Sequence, residues 1–151
     1  MREVTLKVVG TVRSRRDSAE DRDWGALVST IEMLPEYAGG LDGIEQFSHA
    51  IVLFYMHLLS DAEPPAIHRR PRGRADMPLL GVFAQRARMR PNHVGITSCA
   101  IVGVQAGGLV VRGLDALDGT PVLDIKPYVP VFDRRDATVP EWMDRLMEGY
   151  F

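Results

Sequence analysis

Apolar runs no longer than a strand, each cut off by glycine or proline, follow one another along almost the whole chain. That pattern leaves little room for an architecture built from anything but β-strands. Residues 3–12 (EVTLKVVGTV) alternate, with Val4, Leu6 and Val8 on one face. Residues 26–34 alternate again and are closed by Pro35 and the pair Gly39-Gly40. Residues 43–49 read as a short helical turn. The solid run AIVLFYMH at 50–57 is rich in β-branched and aromatic residues, which predicts a strand buried on both sides. Further strands are expected over 79–85, 96–105, 109–114 and 121–125, with Gly107-Gly108 turning one into the next. Only residues 140–148 carry helical spacing, through Trp142, Met143 and Leu146 behind Pro140-Glu141. The expected fold class is therefore all-β, a small barrel or sandwich with short helical segments and a C-terminal helix. No Gly-x-Gly-x-x-Gly follows the first strand, which argues against a Rossmann-type nucleotide site. No repeat or linker divides the chain, so one domain over residues 1–151 is expected.

Hydrophobic residues make up 46% of the chain and charged residues 25%, the make-up of an ordinary globular domain. No apolar run approaches the roughly 20 residues that span a bilayer, and the first ten residues lack a signal-peptide core. A cytoplasmic protein with no membrane attachment is expected. The lone cysteine, Cys99, lies in the apolar run at 96–104 and reads as a buried, inert thiol. No Cys/His spacing matches a zinc site, so no metal is expected.

Net charge is only −2, but its distribution is uneven. Arg69, Arg70, Arg72, Arg74, Arg86, Arg88 and Arg90 crowd one window whose single acid is Asp76. Arginine forks onto phosphates and carboxylates, so this window either meets an anionic partner or pairs with acids elsewhere in the chain. The stretch 13–24, polar and doubly charged, reads as a mobile loop.

Three constellations could carry chemistry. Phe47-Ser48-His49 precede the apolar run that ends at His57, and a histidine at a strand end serves as a ligand contact, a general base or a satisfied structural group. In residues 82–95 (VFAQRARMRPNHVG), Arg86, Arg88 and Arg90 alternate and would share one face of a strand. Three like charges side by side favour an anionic ligand opposite them. In residues 113–130, Asp118-Gly119 marks a turn, with Asp115 and Asp124 close by in sequence.

These same segments, FSH before an apolar strand, FAQRARMRPNHVG, and DGTPVLDIKPYVP, resemble the signature of the TsaA-like family, which includes TrmO-type tRNA methyltransferases. The resemblance implies a small single-sheeted β-barrel that forms a homodimer and binds S-adenosylmethionine. It further implies N-methylation of threonylcarbamoyladenosine next to the tRNA anticodon. Carried over by position, the cofactor contacts are His57 and Leu58, Arg86 and Ala87, and Leu117, Asp118, Gly119 and Thr120. Arg90 and Asn92 fall in the family's Arg-Pro-Asn run and join Arg69, Arg70, Arg72 and Arg74 as expected RNA contacts. Where the family has prolines after the first strand and after the Asn, this chain has an arginine-rich stretch and His93.

On this reading Arg86 pairs with the methionine carboxylate, Asp118 and the amides of Gly119 and Thr120 hold other polar groups, and Phe83 faces the sulfonium. His57 is the expected catalytic base or orienter. Two alternatives remain open from the sequence: a non-catalytic S-adenosylmethionine-binding module, and a methyltransferase acting on a small molecule.

Overall fold

The computed structural model describes residues 2–59 and 66–151. Among them are the strands β1 (Gly10–Arg13), β2 (Val28–Met33), β3 (His49–Tyr55), β4 (His68–Arg69), β5 (Leu80–Gly81), β6 (Val94–Gln105), β7 (Gly108–Arg112) and β8 (Pro121–Pro127). Two short helices follow, α1 (Pro130–Asp133) and α2 (Glu141–Met147). Six strands close into an antiparallel barrel in the order β1-β2-β7-β6-β3-β8, while β4 and β5 form a separate two-stranded sheet. The all-β expectation and the barrel are both borne out.

A six-stranded ring is too narrow to hold anything but its own side chains. Val12, Ile31, Ala50, Val52, Phe54, Leu109, Val111 and Val122 fill it, each almost wholly removed from solvent. β3 sends Ala50, Val52 and Phe54 inward and leaves Ile51, Leu53 and Tyr55 half-buried. Two-sided burial, expected from the unbroken apolar run, is not found, because a closed barrel has one interior. Gly95 on β6 faces the Phe54 ring so closely that a Cβ there would lie 2.4 Å from it. Register shifts at Leu53/Phe54 and Ile101/Gly103 supply the bends that closure requires.

Three other expectations are corrected. Only the last part of residues 3–12 joins the ring. Val9 N–H still donates to Val122 O at 2.8 Å, but Val4 and Leu6 are 78% and 60% exposed. Beyond Val122 the ladder gives out, since the Ile125 amide donates to the Asp124 side chain and Pro127 has no N–H. Residues 79–85 hold only the two-residue β5, followed by a 3-10 turn at Val82–Ala84. Arg86, Arg88 and Arg90 therefore lie on irregular chain, and their sharing of one strand face does not hold.

The loop at 13–24 makes contacts of its own. It wraps Trp24, whose indole N–H donates to Glu20 O at 2.8 Å and whose ring lies 4.1 Å below the Arg16 guanidinium. Of the stretch 60–78, which its prolines and arginines mark as a loop in the sequence, residues 60–65 lie outside the described residues. The remainder folds into β4 and a turn at Pro71–Gly73. No helix among the described residues is long and apolar enough to cross a membrane.

Candidate functional site

At one end of the barrel β3 runs out into His57 and Leu58, β6 begins, and the chain turns a corner at 115–120 before β8. Between these strand ends and three outer segments lies a cavity of about 1150 Å³. The outer segments are the Trp24 loop, the arginine-rich stretches at 69–72 and 83–90, and α2 with the residues that follow it.

The floor is polar and tightly bonded. The half-buried Asp115 carboxylate accepts the hydroxyls of Thr97, on β6, and of Tyr150, from the C-terminal segment. Burial first, and then the adjacent Asp115 charge, push the Tyr150 hydroxyl above its usual range. Cys99 lies below the floor, and burial with some help from Asp115 pushes its thiol up to about 12. The inert thiol expected from the sequence is what the barrel contains.

The corner depends on Gly119, whose φ of +81° suits a residue without Cβ. Its amide donates to Val12 O at 2.8 Å, and Thr120 N–H donates back to Leu117 O. A Cβ on Gly119 would come within 3.6 Å of His57 Nε2, so the histidine lies directly over the turn.

Two segments of the outer wall, the Trp24 loop and the chain after α2, are joined to each other by main-chain bonds. Asp23 N–H donates to Gly149 O and Trp24 N–H to Tyr150 O, both at 2.9 Å. Phe151 packs on Gly25 so closely that a Cβ on the glycine would lie 2.7 Å from the Phe151 carbonyl carbon.

Of the residues expected at a cofactor site, His57, Leu58, Arg86, Ala87, Leu117 and Thr120 line this cavity. Asp118 and Gly119 are not among the lining residues. Asp118 holds the neighbouring loop instead, its Oδ1 accepting Ser14 N–H at 3.0 Å. Arg86 donates to Ile96 O at 2.7 Å, which fixes the guanidinium at the cavity wall. Asp124 is engaged with Lys126 at 2.8 Å on β8. Phe83, expected against a sulfonium, sits at the rim and is 81% exposed.

The arginines divide into two sets. Arg72 pairs with Asp21 at 3.5 Å and lies over the Tyr150 ring. Arg74 forms a two-pronged bond with Asp76, and that hydrogen bond holds the Asp76 carboxyl below the usual carboxylate range. In the other set the bonds go to uncharged oxygens: Arg70 to Met77 O, Arg86 to Ile96 O, and Arg90 to Gln85 O and Ala87 O. Among the described residues none of these three arginines has a carboxylate partner. Among the described residues Arg69 and Arg88 likewise have no carboxylate partner, and both line the cavity with Arg72 and Arg90. Arg70, Arg74 and Asn92 stand outside it, Asn92 exposed in the turn before β6.

Sequence reasoning passed over Thr97 and the Tyr150 contact with Asp115. Thr97 sits in an otherwise apolar run, and Tyr150 lies 35 residues from the acid it meets. The aromatic residues Trp142, Tyr150 and Phe151 near the helix were the available signal.

The residues that fit a charged nucleoside-like ligand are present. Gln85, buried beside the cavity, spends Nε2 on Arg69 O and Leu80 O, while its buried Oε1 has no partner among the described residues. It is an acceptor left over for a ligand amino group. No cluster of metal-ligating residues occurs among the described residues.

Residues 20–134 match the model of the tRNA-methyltransferase O N-terminal domain. A probable S-adenosyl-L-methionine-binding protein of Methanothermobacter thermautotrophicus is 42% identical over 136 residues, covering 87% of this chain and 94% of that protein. A tRNA (adenine(37)-N6)-methyltransferase of Rattus norvegicus is 34% identical over 88% of this chain and 30% of its own length. A solved structure of TrmO from Pseudomonas aeruginosa superposes with a TM-score of 0.76 at 34% identity, over 94% of this chain and 62% of that one. The chain thus spans less than two thirds of these longer relatives, and α2 lies beyond the matched family segment. With the barrel, the strand-end cavity and the sequence match all in agreement, the chain belongs to the family of the tRNA-methyltransferase O N-terminal domain.

Proposed function

We propose that this chain is an S-adenosylmethionine-dependent methyltransferase that acts on tRNA, N-methylating threonylcarbamoyladenosine next to the anticodon. The observation that carries this reading is the meeting of His57, Arg86, Leu117 and Thr120 in one cavity, together with arginines that have no carboxylate partner among the described residues. Bound S-adenosylmethionine would supply an activated methyl group on a sulfonium. Displacement at that carbon is in-line, so the protein's task is mainly to hold donor and acceptor in line.

Arg86, already oriented by Ile96 O, is placed to pair with a carboxylate through its remaining N–H groups. Gln85 Oε1 offers a complementary acceptor, whereas the amides of Asp118, Gly119 and Thr120 are already spent on Arg16 O, Val12 O and Leu117 O and do not serve a ligand as the sequence suggested. His57, standing over that corner, is the group to orient or accept the proton of the acceptor nitrogen. Asp115 acts at one remove, since both its carboxylate oxygens are engaged by Thr97 and Tyr150. Asp118 serves as a positioning residue that ties the Trp24 loop to the corner.

Arg69, Arg88 and Arg90 at the cavity and Arg70 beside it fit contacts with RNA phosphate. Arg72 and Arg74 are less suited, because Asp21 and Asp76 already neutralise them. Exposed apolar residues such as Val131 and Phe132 suit the homodimer that the family resemblance implies, and a tRNA substrate suits a cytoplasmic protein.

The test is calorimetry with S-adenosylmethionine, followed by turnover on tRNA bearing threonylcarbamoyladenosine. Binding without turnover would leave a cofactor-binding module, and no binding would remove the methyltransferase reading.

A further inference from the structure

Phe83 is a costly residue to leave in water, and nothing in the fold requires it there. It stands 81% exposed on the turn at Val82–Ala84, yet the turn beneath it is rigidly held. Val82 is buried, and its amide donates to Ile67 O at 2.9 Å. On the other side the buried Gln85 side chain clamps the main chain of both β4 and β5, through Arg69 O at 2.7 Å and Leu80 O at 3.1 Å. The aromatic ring is thus presented to solvent from a fixed base, at the lip of the cavity.

Its surroundings are cationic. Arg69 on β4 and Arg88 on the following stretch line the same cavity, and Arg70 spends its guanidinium on a neutral carbonyl. An exposed aromatic that shares a cavity with arginines lacking a carboxylate partner among the described residues suits one partner chemistry above others. It fits an unpaired nucleic-acid base stacked on the ring, with its flanking phosphates on the arginines.

We propose that Phe83 is the stacking platform for an unpaired RNA base beside the reacting nucleotide, with Arg69, Arg70 and Arg88 holding the adjoining phosphates. The assignment rests on the tRNA reading and sharpens it. The platform selects for single-stranded loops and rejects paired stems, whose bases offer no free face. Duplex RNA would meet the arginines alone.

The experiment compares a stem-loop RNA with a fully paired RNA of equal length, binding to the wild type, Phe83→Ala and Phe83→Trp. The wild type should prefer the stem-loop. Phe83→Ala should weaken stem-loop binding by about fivefold or more, the equivalent of one lost base stack. Duplex affinity, the salt slope, S-adenosylmethionine affinity and the unfolding midpoint should stay unchanged. Phe83→Trp should retain binding, and its fluorescence should fall as the stem-loop binds.

Equal stem-loop affinity in wild type and Phe83→Ala would overturn the platform while leaving tRNA as substrate. Failure of the wild type to bind either RNA would remove both. If Phe83→Ala instead turns a dimer into a monomer in sedimentation, the ring belongs to a contact with a second copy and the stacking role is wrong.

Discussion

The floor and the rim of the cavity use the same kinds of residue to opposite ends. At the floor, polar groups are consumed internally: Asp115 is saturated by Thr97 and Tyr150, and the Gly119 corner is bonded to β1. At the rim, Arg86 and Arg90 are held by carbonyl oxygens and have no carboxylate partner among the described residues. An ion pair fixes a side chain and cancels its charge, whereas a carbonyl fixes it and leaves the charge available. Arg72 and Arg90 illustrate the two outcomes within one short window.

The contrast is broken most severely from below. Leu109, fully buried in the barrel, should cost about 2–5 kcal/mol of stability as Leu109→Ala, because deletion leaves a cavity in a closed ring. Denaturant unfolding checks this, and rim substitutions such as Phe83→Ala should move the midpoint little by comparison.

Next in size is Arg86→Ala. Losing a charge-assisted contact should weaken S-adenosylmethionine binding by roughly 1.5–3 kcal/mol, about ten- to 150-fold by calorimetry. The barrel itself should be undisturbed.

Tyr150→Phe sharpens the comparison at the join between floor and outer wall. It removes a hydroxyl donor to the Asp115 carboxylate and should cost about 1–2 kcal/mol. It should also raise protease cleavage near the C-terminal segment. The pH dependence follows the same groups. Tyr150 and Cys99 both have raised folded-state pKa values, so each keeps its proton where the unfolded chain would have lost it. Their contribution is complete below the unfolded values of about 8.5 for Cys and 10 for Tyr. It should fade as pH climbs through about 12, where the Cys99 thiol titrates. Unfolding midpoints at neutral and strongly alkaline pH test this, and Tyr150→Phe should flatten part of the fall.

The smallest effect belongs to Arg72→Ala. Its ion pair with Asp21 is partly exposed and should contribute no more than about 1 kcal/mol, less in high salt. RNA affinity should change less than in Arg88→Ala, whose charge has no carboxylate against it among the described residues.

The barrel was legible because its strands announce themselves through alternation and are bounded by glycine and proline. β2, β7 and β8 lie close to where the pattern puts them. The extended reading of residues 3–9 failed because strand-like alternation says nothing about whether a neighbouring edge is open, and Asp124 with Pro127 closes that edge. The arginine stretch misled for a related reason: alternation at 86–90 implied a strand, but β5 has too short a partner in β4 to continue it. Of the residues named from family motifs, His57, Leu58, Arg86, Ala87, Leu117 and Thr120 come together at the cavity. Asp115, Thr97 and Tyr150 meet only through the closed fold, and no local spacing predicts that.

One further consequence comes from how the ring shuts. β1 meets β8 through two register pairs, Gly10 with Val122 and Thr11 with Pro121, whereas β3 and β6 share seven. The paired residues are also far apart along the chain, so this joint carries a large loop-closure cost for few bonds. It is the seam where the barrel should assemble last and breathe first, with fast amide exchange at Val12 and Gly119. Those amides join β1 to the corner beneath His57. A ligand seated there would therefore act as a rivet on the seam, and its binding should slow exchange along the whole first strand.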